Sequence, residues 1–172
     1  MNVRGAGSFL VMTALAAATA TLTPAQGSKA ADNNPDVVEA RNYKLTMNKL
    51  ERLAAAAEDL NKALAADPAL KGRVESGSSD DKSIDEKARE IDAKFPQLAA
   101  MLRPHGFATR EWIVINIAFL NDMIVVGMKK QGALKEYPPN TITAENAAFV
   151  EANYDKLQEI GKKLTPQDSE SQ

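Results

Sequence analysis

The chain contains no cysteine and a single histidine, His105. Without cysteine there is no disulfide, no thiolate metal site, no thiol nucleophile and no c-type haem attachment. The lipidated cysteine of a bacterial lipoprotein is missing as well, so no stable membrane anchor is expected. One imidazole is too few for metal sites that need two or more. The sequence also lacks a Gly-rich phosphate loop, a serine nucleophile elbow and a His-Glu-x-x-His motif. No catalytic set is visible, so the chain reads as non-enzymatic, with no catalytic residues, no metal and no cofactor. Charge of one sign is scarce too: 21 basic residues face 23 acidic ones, for a net charge of −2. That balance offers no field for nucleic acid or anionic lipid.

The first thirty residues read as a secretory signal peptide. Arg4 supplies a positive start, residues 9–18 form a short apolar run, and small residues follow. The run is too short to cross a bilayer. Thr23-Pro24-Ala25 and Ser28-Lys29-Ala30 are the candidate cleavage sites, and residues 26–33 read as a flexible leader. The expected location is periplasmic or secreted, unlipidated. Roughly 145 residues would remain, enough for one domain with a real core. Residues 1–30 are then signal and leader, 34–165 a helical domain with a linker at about 72–82, and 166–172 a disordered tail.

Helical periodicity dominates the rest. Asn34 and Pro35 open a first helix. Tyr43, Leu50, Ala57 and Leu64 recur every seven residues, with Met47, Ala54, Leu53 and Leu60 beside them. The pattern predicts one helix of about thirty residues ending near Asp67-Pro68. After the Gly/Ser-rich linker, Ser83 and Glu86 have capping-box spacing, and Pro96 should break the helix they start. Thr109 is a plausible N-cap for a third helix running to about Gln131, with Gly132 at its end. Its stretch Trp112–Met128 is almost continuously apolar but interrupted by Asn116, Asn121 and Asp122. That suits a central buried helix better than a membrane span. Thr143 caps a fourth helix from Ala144 to roughly Leu164, and Pro166 stops it. The fold class is all-α: a four-helix-bundle-like single domain.

Asparagine inside the apolar stripes is the chemical oddity. Asn116 shares a helix face with Trp112, Leu120, Met123 and Gly127, all within about 40°. Asp122 falls on the other side, at a solvated or partly covered edge. Asn146 and Asn153 lie one heptad apart beside Phe149 and Val150. Together Asn116, Asn146 and Asn153 could form a polar layer, with Tyr43 or Tyr154 adding a hydroxyl. Such a layer either fixes helix register or lines a pocket by Trp112, where Gly127 leaves space. Ile115, Ala118 and Val125 are either covered by a helix or form an exposed strip for a partner or a homodimer. His105 with one methionine could hold haem b, but Pro104-His105-Gly106 is a turn and not a rigid helix face. The scattered Met47, Met101, Met123 and Met128 read as core filler.

Residues 104–112 (Pro-His-Gly-Phe-Ala-Thr-Arg-Glu-Trp), the apolar helix after them and residues 145–150 (Glu-Asn-Ala-Ala-Phe-Val) resemble small exported all-helical bacterial proteins of unknown function. The resemblance spans roughly Leu98 to Tyr154 and implies a helical domain without implying an activity. The expected role is an exported bundle that binds a small apolar ligand or an envelope partner. The alternative is a purely protein-interacting, chaperone-like adaptor.

Overall fold

Asn34 accepts a hydrogen bond from the Asp36 N–H at 3.0 Å, and Pro35 follows with its φ already helical, so α1 (Pro35–Asn42) starts where the sequence says. It does not run on for thirty residues. The backbone turns extended at Tyr43, and Thr46 caps a new helix, α2 (Met47–Ala66), accepting from Lys49 N–H at 3.4 Å. Periodicity misses this break because the apolar spacing survives it, while the cap and a distant amide stabilise the extended joint. The computed structural model describes residues 34–71 and 82–164. The expected signal peptide and leader, most of the expected linker and the expected tail, with Pro166, lie outside the described residues.

Ser83 forms the expected capping box, its hydroxyl accepting from Glu86 N–H and Glu86 accepting from Ser83 N–H at 2.9 Å. That box starts α3 (Ile84–Lys94). Pro96 ends it and begins α4 (Pro96–Leu102), and a 3-10 turn at Arg103–His105 leads to Gly106. Helix α5 (Thr109–Lys130) is capped by Ala108, one residue before the expected Thr109. The Thr109 hydroxyl donates to Asp92 on α3 instead. Gly132 has φ +77° just past the helix end, as a C-terminal glycine should. Helix α6 (Ala144–Leu164) has Thr143 at its start, the hydroxyl accepting from Asn146 N–H at 3.2 Å.

The described residues are all-α, with no strand among them. Helices α2 and α6 lie side by side and parallel: Glu51 pairs with Lys156, Glu58 with Lys163, and Asn61 donates to the Lys163 carbonyl. Helix α5 packs against α6. Along α6, Asn146 meets Asp122, Glu151 meets Lys129, Tyr154 meets Gly127 and Gly161 comes near Phe119. These contacts seat α6 against residues 119–129 of α5. Helices α1 and α3 pack on α5, and α4 bridges α2 and α3.

By length and composition α5 could cross a membrane, yet eleven of its 22 residues are buried within the protein. It is the core helix. Ile115, Ala118 and Val125 are among those buried residues, so the strip drawn as a partner surface is covered by neighbouring helices. Asp122 is 0% exposed, which corrects its expected place at a solvated or partly covered edge. An almost wholly apolar helix has no polar side to turn outward at that position.

Candidate functional site

Two polar centres interrupt the interior, and Tyr43 touches both. The first is built on Asn146 in the opening turn of α6. Its Nδ2 donates to the Tyr43 carbonyl at 2.9 Å and to Asp122 Oδ2 at 2.8 Å. Its Oδ1 accepts from Leu45 N–H at 3.1 Å. These are the backbone groups freed by the break between α1 and α2. One buried amide thus replaces the helical bonds the joint gives up. Asn121 donates to the Thr141 carbonyl at 2.8 Å and reaches Asp122 Oδ1 at 3.4 Å, anchoring the connection before α6.

Asp122 meets amide donors and no cation. Burial pushes its carboxyl up to about 7, against a smaller downward pull from Asn146 and then Asn121. It is the buried polar residue that the helix wheel places at an edge. The signal was present: Ile115, Ala118 and Val125 surround its side of the helix wheel, so neither side of α5 was polar enough to expose it.

The expected polar layer does not assemble. Asn116 is buried, but its Nδ2 donates to the Trp112 carbonyl at 2.7 Å, one turn back on its own helix. Asn153 does the same to the Phe149 carbonyl at 2.8 Å and is half-buried. Amides within a helix can bond the carbonyl four residues earlier, and these two do so without crossing to a neighbour. Only Asn146 joins Tyr43. The space expected at Gly127 is filled, because a Cβ there would stand 2.7 Å from the Tyr154 hydroxyl. The Lys130 ammonium lies over the Tyr154 ring, 4.7 Å from its centroid.

The second centre lies between α2 and the start of α5. Tyr43 donates its hydroxyl to Glu111 at 2.7 Å, and burial followed by that carboxylate holds the phenol protonated. The Lys49 ammonium sits above the same ring at 4.1 Å. Arg52 acts on the Tyr43 hydroxyl by its charge, and its Nη1 donates to the His105 carbonyl at 3.3 Å. Its guanidinium stacks over Phe107 at 5.3 Å. Gly106 permits this arrangement: its φ is +77°, and a Cβ there would stand 2.5 Å from Arg52 Nη1.

Three buried side-chain atoms among the described residues have no hydrogen-bond partner, one on α2 and two a single turn apart on α5. They are Arg52 Nε, Trp112 Nε1 and Asn116 Oδ1, two donors and one acceptor. Leaving such groups bare in an apolar interior costs about 1–3 kcal/mol each. His105 is engaged with Asp59, Nε2 to Oδ2 at 2.9 Å, on a turn. No group of three His, Cys, Asp or Glu side chains among the described residues is placed to hold a metal ion. No protein-family model, curated protein or solved structure matches the chain.

Proposed function

We propose that the protein is an exported, non-enzymatic helical binding protein that takes a small, largely apolar ligand in the seam between α2 and α5. The three bare polar atoms at Arg52, Trp112 and Asn116 are the observation that carries this reading. Two donors and one acceptor suit a ligand with one polar end, and the cationic Arg52 favours a carboxylate there. Leu50, Leu53, Phe107 and Phe119 supply apolar surroundings in the same core cluster. The exported location rests on the N-terminal sequence pattern.

Native mass spectrometry of protein purified gently from its own host tests both parts. The expected spectrum shows a chain shortened by the signal peptide, with the added mass of one small organic molecule. A full-length chain overturns the export reading. A bare chain at every collision energy overturns the ligand.

An adaptor role has one supporting observation. Ile124 is 45% exposed on α5 and Val37 is 41% exposed on α1. These replace Ile115, Ala118 and Val125 as the residues through which a protein partner, or a second copy of the chain, would dock. Ile124→Lys should then weaken a dimer seen in the same spectra and leave ligand mass unchanged.

A further inference from the structure

Asp122 is entirely out of solvent, and its hydrogen-bond donors are two neutral amides, Asn146 and Asn121. Through Asn146 it is coupled to Tyr43 and Leu45, residues 103 and 101 positions away from Asn146 that form the joint between α1 and α2. We propose that Asp122 is a proton-operated latch on this joint. Neutral, it lets α6 hold Tyr43 and Leu45 in place. Ionised, it loosens the joint and with it the Tyr43 side of the α2–α5 seam. The proton passes to bulk solvent, and no other reactant is needed.

A buried carboxylate without a counter-cation is costly, and local opening that hydrates it relieves that cost. Other charged groups on the packed elements are turned elsewhere. On α5, Glu111 accepts from Tyr43 and Lys129 pairs with Glu151 of α6. Lys44 of the joint pairs with Glu145 on the surface, and Lys49 of α2 lies above the Tyr43 ring. On α3, Asp85 is bound to Arg110 and Asp92 to Thr109, at the far end of α5.

The element released is weakly held. Helix α1 has eight residues and buries only Ala40. Its remaining ties are exposed or half-buried: Glu39 to Arg110, Arg41 to the Asn140 carbonyl, and Asp36 to Ile84 N–H. Such segments open at lower free energy than a core helix. Burial places the Asp122 titration near neutrality, within reach of ordinary pH changes.

Hydrogen exchange by NMR on the full chain tests the latch, reading the Leu45 amide against that of Leu157 in α6. After correction for intrinsic exchange, Leu45 protection should fall about tenfold per pH unit between pH 5 and 6.5 and level off above about 7. It should open at lower free energy than Leu157, and Asp122→Asn should flatten the profile. Identical opening of Leu45 and Leu157, or a flat profile in the wild-type chain, overturns the latch. Should Asp122→Asn fail to fold, ¹³C titration of the wild-type Asp122 carboxyl decides: a midpoint near 7 supports the latch and one below about 5 overturns it.

The effect on the seam rests on the binding role proposed above. A second arm measures decanoate binding at pH 6 and pH 8, expected to weaken at the higher pH. A pH-dependent Leu45 without decanoate binding at either pH leaves the latch standing and removes the ligand reading. Binding that ignores pH while Leu45 responds uncouples the two.

Discussion

Asn146 donates to Asp122 at 2.8 Å from the first turn of one helix to the middle of another, and both side chains are buried. The same amide holds the Tyr43 carbonyl and the Leu45 N–H. Helices α5 and α6 and the joint between α1 and α2 therefore converge on one side chain.

Removing that side chain should be costly. Asn146→Ala leaves a carbonyl, an N–H and one carboxyl oxygen of Asp122 without this partner, so unfolding in urea should reveal a loss of about 2–4 kcal/mol. Asn153→Ala removes only a half-buried bond within its own helix and should stay within about 1 kcal/mol. Equal losses for the two would contradict the assignment of Asn146 as the knot.

The pH dependence of stability has a definite sign. Asp122 is raised in the folded chain, so the native state binds more protons than the unfolded state between its ordinary value and about 7. Stability therefore falls as pH rises through that window and is level above it. Denaturant titrations from pH 5 to 8 should show a decline of up to about 1.4 kcal/mol per pH unit below 7, absent in Asp122→Asn. Starting at pH 5 avoids the surface carboxylates Glu39, Glu58 and Glu90, whose lowered values give the opposite slope at more acid pH.

Asn116 should behave unlike Asn146. Its Oδ1 has no partner, so Asn116→Leu removes a bare acceptor and should change stability by less than about 1 kcal/mol in either direction. A loss matching that of Asn146→Ala in the same denaturation assay would mean that Asn116 is structural.

Two glycines with the same backbone angle should differ. Gly106 and Gly132 both have φ +77°, but only Gly106 faces a neighbour, Arg52 Nη1. Gly132→Ala should cost about 1 kcal/mol for backbone strain alone. Gly106→Ala should cost about 1–3 kcal/mol, because the guanidinium must also move from the His105 carbonyl. Thermal melts of the two variants compare them directly.

The sequence shows why some of this was legible and some was not. Ser83 with Glu86, Pro96, Gly132 and Thr143 act within a few residues of themselves, so their roles follow from spacing. The break after Tyr43 does not, because its backbone groups are satisfied by Asn146 about a hundred positions away. The inward direction of Asn116 followed from the helix wheel, but its partner did not, since an amide can choose its own helix over a neighbour. Asp122 escaped because a wheel ranks only two sides of a helix, and α5 is covered on more than one. The seam at Arg52 was invisible for another reason: it depends on a turn, 103–106, lying beside the middle of α2.

Trp112 is the only tryptophan in the chain and carries one of the three bare atoms, so its fluorescence reports on the seam without a label. Titration of the protein with decanoate at pH 6 is the most direct measurement of the binding role. The account predicts a saturable change in Trp112 emission at one equivalent, abolished in Arg52→Met and reduced in Asn116→Leu. An emission spectrum unmoved by decanoate, or a change that persists undiminished in Arg52→Met, would contradict it.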